Sequence, residues 1–255
     1  MMAARKRHKR ERRKAQSAAE ESESDAEKLR ALVFTREWFH SIDLGHGIIT
    51  PGIDDSPAKL TGLRLPTSFA GKSVLDIGAW DGFFSFEAER RGAARVVAAD
   101  YWCWNNGPEF MTMADGQGFE IAHAALSSKV EKAVCRVEEI GPDTVGVFDY
   151  VLFLGILYHA PDPLRYLRHV FSVCREMAII ETHTDGADYD RPMMVFYPGG
   201  TLNNDPSNNW GPNRQCVLAM LHEVGFERVE VVEHEHQPQR LVVHAYRSSS
   251  AAADP

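Results

Sequence analysis

Long apolar runs are missing from this chain. No stretch approaches the roughly 18–20 residues that a membrane-spanning helix needs, so a soluble protein with no membrane partner is expected. The opening stretch, MMAARKRHKRERRKAQ, lacks the apolar core of a secretory signal. Cysteine is scarce: the four present (Cys103, Cys135, Cys174, Cys216) lie far apart with no Cys-x-x-Cys pair. That spacing excludes a disulfide framework and a zinc knuckle, and fits the reduced thiols of a cytoplasmic protein. There is no internal repeat. Basic residues are also thin over most of the chain. Residues 1–14 hold eight Lys/Arg and one acid, and the remainder carries 20 basic and 35 acidic residues, net −15 against −8 for the whole. A body of that sign is a poor surface for a polyphosphate partner.

What is present is a core. The hydrophobic fraction of 44% and the 13 phenylalanines suffice for one large domain. Residues 1–25 read as a disordered tail, basic and then acidic, with almost nothing to bury. The segment 26–70 reads as an N-terminal helix, with Leu29, Leu32, Val33 and Trp38 near helical spacing, followed by a loop on the substrate side. From 71 to 247 short apolar strands (SVLDIG, RVVAAD, AVCRVEE, FDYVLFLG, MAIIET) alternate with helical segments (FFSFEAERRG, MADGQGFEIAHAALSS, PLRYLRHVFSVC). Such alternation argues for a parallel sheet covered on both faces. The helix QCVLAMLHEVGF and the pair RVEVVEH and RLVVHAYR close the pattern as a hairpin. The expected fold is therefore α/β, a Rossmann-like sheet of seven strands, six parallel, with the last antiparallel and a helical N-terminal extension. An insertion at 184–214, rich in Gly, Pro, Asn and Asp, is too long for a plain connection and reads as a binding loop. Residues 248–255 read as a second disordered tail.

The stretch VLDIGAWDGFF, 74–84, carries the ligand chemistry. A glycine turn after a strand brings backbone close to a ligand. A dinucleotide would need glycine where Trp80 stands, so NAD is disfavoured. Two acids remain, Asp76 before the turn and Asp100 at the end of the next strand. A carboxylate in the second position accepts from both hydroxyls of a ribose, and Asp76 would hold the turn and an ammonium group. Ribose, adenine and an amino acid without phosphate describe S-adenosylmethionine.

These residues bring a family into view. From about 73 to 245 the chain resembles class I S-adenosylmethionine-dependent methyltransferases, with VLDIGAWDG similar to their first motif. WFHSIDLG…TPG, GAWDGFFSFEAERRGA and LGILYH…DPL resemble the tRNA wobble-uridine 5-oxyacetate methyltransferase-like group, which includes relatives without a tRNA role. The resemblance implies that Gly78, Ala79 and Trp80 border the methionine part, that Asp100 binds the ribose, and that Tyr101 and Trp102 flank the adenosine. It further implies Val137 and Glu138 at the adenine edge, with Leu154 and Gly155 beneath the cofactor. Wobble-uridine enzymes use a carboxylated cofactor whose extra charge meets basic residues and a tyrosine; Tyr158, Arg240 and Lys59 fall at such positions. The lysine expected after the early tryptophan is His40 here, which removes a fixed positive charge and favours plain methyl transfer.

Methyl transfer from a sulfonium needs alignment and, for a protonated acceptor, a base. His159, just past the fourth strand in LYHAPDP, is the first candidate, with a turn-holding role as its rival. Glu181 and His183, at the end of the fifth strand, are the others. With Asp185 they also resemble a metal pair, but two ligands in a loop arise by chance and no metal is expected. Trp38, His40, Tyr197 and Trp210 complete the expected substrate side, as stacking groups or as loop anchors, and the asparagines of NNDPSNNWGPN as amides for a hydroxylated substrate or as turn formers. The expected activity is methyl transfer to a small hydroxylated metabolite or sugar. A tRNA-modifying enzyme and a non-catalytic cofactor binder are the alternatives.

Overall fold

The computed structural model describes residues 23–105, 113–232 and 239–248; of the expected tails at 1–25 and 248–255, residues 1–22 and 249–255 lie outside them, and residues 23–25 are helical instead. Among the described residues a seven-stranded sheet runs in the order β10-β11-β7-β6-β3-β4-β5. Its members are β3 (Ser73–Ile77), β4 (Arg95–Asp100), β5 (Glu131–Val134), β6 (Phe148–Leu154), β7 (Cys174–His183), β10 (Arg228–Val232) and β11 (Arg240–Tyr246). β11 runs antiparallel to both of its neighbours, β10 and β7, and the other pairs are parallel. The fold is the Rossmann-like α/β sheet that the alternating pattern predicts, with the last strand reversed.

Successive side chains along a strand point to opposite faces, and the core divides accordingly. Val74, Val96, Ala98, Leu152 and Ile179 join one cluster. Leu75, Val97, Val151, Phe153 and Ile180 join the other. The first face is covered by α3 (Phe83–Arg90) and α4 (Gln117–Ala125), and the second by α5 (Pro163–Val173) and α6 (Arg214–Val224). Both of the latter helices begin on a side-chain cap. Asp162 accepts the Arg165 N–H, with Pro163 in the first turn, and Asn213 accepts the Cys216 N–H.

The N-terminal part is helical over residues 23–34 (α1). It then forms β1 (Trp38–His40), paired in parallel with β2 (Gly52–Asp54), and α2 (Ser56–Leu63). The expected plain loop after the first helix thus contains a short two-stranded piece. Trp38 is fully buried in the core and its indole N–H donates to the Val33 carbonyl at 2.9 Å. It anchors this segment, which corrects its expected place on the substrate side.

Two further expectations change in detail. The third parallel strand stops at Val134, and Val137–Glu139 forms a single 3-10 turn. The 184–214 insertion carries its own antiparallel pair, β8 (Met194–Phe196) with β9 (Trp210–Pro212). Asn213, fully buried, ties that insertion to α6: its amide donates to the carbonyls of Tyr189 (3.0 Å) and Arg191 (2.8 Å), and its oxygen accepts from Met193.

Candidate active site

Ligands of such sheets bind beyond the carboxyl ends of the strands, where the strand order reverses. Here that point lies between β3 and β6, with β4 and β5 following on one side and β7 on the other. The turn after β3 is held by its own carboxylates. Asp76 follows Val74 by two residues, so it points to the face that α3 covers, and the Ser85 hydroxyl of α3 donates to it at 2.6 Å. Gly78 takes φ +75°, a left-handed conformation that favours glycine, and a Cβ there would also lie 2.2 Å from Ile156 Cδ1 and push that side chain aside. Asp81 is buried and accepts the backbone N–H groups of Phe39 (2.8 Å) and His40 (3.1 Å), which fastens β1 against the turn.

Asp100 ends β4 with its carboxylate turned back on the same loop. One oxygen accepts the Trp80 N–H at 3.1 Å and the other the Cys103 N–H at 2.9 Å. The backbone of Tyr101 and Trp102 also turns toward this carboxylate and favours its charged form. Neither Asp76 nor Asp100 has an ion-pair partner among the described residues, and each is almost fully buried. Burial pushes the Asp76 carboxyl up to about 7 against the Ser85 hydrogen bond, with the neighbouring Asp100 adding to the rise. Burial also raises Asp100. Two buried acids without a cation suit a ligand that brings positive charge, an ammonium or a sulfonium, and reject a pyrophosphate. That donor set fits S-adenosylmethionine.

Rings border the loop. Trp80 sits at φ +51° with its ring 4.7 Å from Phe39 and 5.4 Å from Trp102. Its carbonyl accepts the Trp104 indole N–H, and its own indole N–H is buried without a partner. The Arg136 guanidinium lies 3.9 Å above the Tyr101 ring. Ala79 is buried within the turn, and Val137 opens the 3-10 turn after β5. Glu138, expected at the adenine edge, accepts the Tyr166 hydroxyl at 2.7 Å through one of its oxygens.

The residues expected to face the acceptor form a second group beyond β6 and β7. Leu154 ends β6 beside Glu181 of β7, and Gly155 faces Tyr158, Arg240 and Glu181. Glu181 and Arg240 form a two-pronged ion pair, and the guanidinium lies 5.0 Å from the Tyr158 ring centre. The pairing corrects two expectations: Glu181 is not a free base, and Arg240 is not a free cation. Lys59 is likewise paired, with Asp54. His40, expected near the substrate, is buried among Phe39, Phe83 and Phe84, and burial drives its imidazole down to about 3. It remains neutral.

The rings of His159 and His183 lie 4.2 and 6.3 Å from that of Tyr158, centre to centre. His183 Nε2 lies 3.3 Å from the Tyr197 hydroxyl, which donates to Asp185 at 2.6 Å. His159 Nδ1 meets Ser207. Burial lowers both imidazoles from their ordinary value, so both are neutral at pH 7. Phe196 and Trp210 pack at 5.1 Å on the β8–β9 pair. The asparagines of the insertion serve its turns: Asn203 and Asn204 take φ +56°, and Asn209 donates to the His159 carbonyl at 2.8 Å. Among the described residues no cluster of three or more His, Cys, Asp or Glu is placed to hold a metal ion. No helix there is long and apolar enough to cross a membrane.

Comparison with known proteins gives three findings. A family model described as "Methyltransferase domain" matches residues 54–231. The tRNA U34 carboxymethyltransferase of Desulfotalea psychrophila is 25% identical over 175 residues, covering 66% of this chain and 50% of that protein. The ubiquinone biosynthesis O-methyltransferase of Xanthomonas oryzae pv. oryzae is 32% identical over 113 residues, 44% of this chain and 43% of that protein. The chain spans about half the length of the curated relatives it matches. Among solved structures, the N-terminal domain of EvdMO1, crystallised in the presence of SAH and D-fucose, superposes with a TM-score of 0.60 at 20% identity. That superposition covers 87% of this chain and 97% of the other and speaks for the fold.

Proposed function

The chain belongs to the methyltransferase domain family, whose cofactor is S-adenosylmethionine, and we propose that it methylates a hydroxyl of a small neutral molecule, a hydroxylated metabolite or a sugar. In this reading Asp76 receives the cofactor's ammonium, Gly78, Ala79 and Trp80 border its methionine part, and Asp100 accepts from its ribose hydroxyls. Tyr101 and Trp102 flank the adenosine, Val137 meets the adenine edge, and Leu154 and Gly155 form the floor. When bound, the cofactor supplies a methyl group on a positively charged sulfur. The chain's own residues orient the acceptor and take its proton. His159 is the base, neutral at pH 7 because burial disfavours its charged form. Tyr158, His183, Tyr197 and Trp210 shape the acceptor side.

One observation carries the choice of acceptor. The two cations that the wobble-uridine resemblance brings to this region, Lys59 and Arg240, are each paired with an acid of this chain, Asp54 and Glu181. Neither is left to balance a phosphate or a carboxylated cofactor, which favours an uncharged acceptor and plain methyl transfer. The tRNA reading has the similarity to tRNA U34 carboxymethyltransferases in its favour, and the net −15 of the chain beyond residue 14 against it. Methyl-tritiated S-adenosylmethionine, offered in parallel with total tRNA and with a panel of phenols, flavonoids and monosaccharides, tests the choice. Label on a small hydroxylated compound is the expected result. Label on tRNA, with tight salt-sensitive binding that survives removal of residues 1–25, defeats the small-molecule reading. Cofactor binding with no transfer to either class points to the non-catalytic alternative.

A further inference from the structure

Three residues of the insertion close on the short turn after β6. The Asn209 backbone N–H donates to the Tyr158 carbonyl at 2.9 Å, and its side-chain amide to the His159 carbonyl at 2.8 Å. Ser207 meets the His159 ring itself. Its carbonyl oxygen and its hydroxyl oxygen both lie 3.1 Å from Nδ1. A carbonyl only accepts, so Nδ1 has to carry the proton for that contact. The hydroxyl also accepts here, because its hydrogen is committed to Asp205 Oδ1 at 2.6 Å. The same carboxylate oxygen accepts the Ser207 backbone N–H at 2.9 Å and holds the residue in place.

We propose that Asp205 and Ser207 are positioning residues that fix His159 as its Nδ1–H tautomer and leave Nε2 as the proton acceptor of methyl transfer. The assignment rests on the methyltransferase reading for its purpose but not for its geometry. Nε2 has no hydrogen-bond partner among the described residues. As the acceptor's O–H bond breaks, its proton goes to His159 Nε2. The oxygen's electron pair forms the new O–C bond while the carbon–sulfur bond breaks and its electron pair stays on sulfur. The proton later passes to water. As the ring gains charge, Nδ1–H strengthens its bonds to Ser207, and Asp205 balances the imidazolium through the hydroxyl. An Asx turn alone would use only the backbone N–H; the hydroxyl bond and the ring seated on it are additional.

The groups that face this ring come from four elements. Asp205 favours the charged ring, and Arg240 of β11 opposes it. Tyr158 lies alongside, with Glu181 and His183 of β7 beyond it.

Long-range nitrogen–proton NMR on the full chain, labelled at histidine, reads the tautomer with no cofactor or acceptor present. The His159 signal, assigned by its loss in His159→Gln, should show a protonated Nδ1 and a bare Nε2 at pH 8. Asp205→Asn should lower the pH midpoint of this ring, because a negative partner is lost, and Ser207→Thr should keep the parent tautomer. An Nε2–H or averaging ring in the parent, or an unmoved midpoint in Asp205→Asn, overturns the assignment. In the tritium assay Asp205→Asn should cut kcat roughly tenfold or more, move the rising pH limb to lower pH, and leave KM for S-adenosylmethionine unchanged. An unaltered pH limb overturns the catalytic purpose. Absence of transfer by the parent would sink the methyltransferase reading while the NMR result still decides the relay.

Discussion

Asp76 offers a quantitative test of the cofactor side. Its carboxyl, ordinarily near 3.8, is raised to about 7 by burial, with Asp100 beside it. The folded protein therefore holds a proton at Asp76 between about pH 4 and pH 7 that the unfolded chain has released. Stability contributed by that proton is present at low pH and is lost as pH rises through the folded value. At 1.36 kcal/mol for each pH unit, the parent should lose about 2 kcal/mol between pH 5.5 and pH 8 through this group alone. Asp76→Asn has no proton to lose and keeps an oxygen for the Ser85 hydroxyl. Guanidinium unfolding of both proteins at the two pH values isolates the difference, since other titrating groups are common to both. A ligand bringing an ammonium to Asp76 needs the carboxylate, so protonation of Asp76 at pH 5.5 should weaken S-adenosylhomocysteine binding roughly thirtyfold relative to pH 8. The variant should bind weakly at both values. Parallel stability-versus-pH curves for parent and variant would refute the raised carboxyl. Retained pH-independent affinity would refute its contact with the ammonium.

Asp100→Ala should weaken S-adenosylhomocysteine by roughly ten- to a hundredfold in calorimetry, and also loosen the Trp80 and Cys103 backbone that this carboxylate holds; unchanged affinity would reject the ribose role. Glu181→Ala should destabilise the protein by about 3 kcal/mol in denaturant unfolding, because it strands the largely buried Arg240 guanidinium. Adding Arg240→Met to that variant should recover part of the loss, and no recovery would show that the two residues act separately. Trp38→Ala should cost about 3–5 kcal/mol of stability while cofactor affinity in the folded fraction stays put. A selective loss of acceptor KM with parent-like stability would return Trp38 to the substrate side.

The sheet was legible because its central strands are buried on both faces and so read as unbroken apolar runs, as FDYVLFL of β6 and MAIIET within β7 do. β1, β2, β8 and β9 were not, since each is three residues long and too short for a period of two to emerge from chance. The third parallel strand ends sooner than its sequence pattern for a related reason. Val137 and Glu138 continue the apolar–polar alternation, but the Arg136 N–H is taken by the Glu139 side chain, which closes a 3-10 turn instead. Trp38 follows the spacing of the first helix and yet belongs to β1, because Asp81 captures the backbone N–H groups of Phe39 and His40.

The site divides along the same line. Its cofactor half comes from contiguous sequence, Asp76 to Gly82, plus the end of the adjacent strand at Asp100, so residue types and spacing alone point to it. Its acceptor half is assembled from segments that only the fold brings together. Glu181 meets Arg240 across 59 positions, and His159 meets Ser207 across 48. Glu181 and Arg240 on their own read as a base and a free cation; together they are a neutral pair. His159 on its own reads equally as a base or a turn holder. Its carbonyl is clamped by Asn209 and its ring is oriented by Ser207, so one short turn serves both ends. That turn takes its partners from the insertion and not from the sheet. Changes within residues 205–209 should therefore act on the acceptor chemistry while Asp76, Asp81 and Asp100 continue to hold the glycine loop unaided.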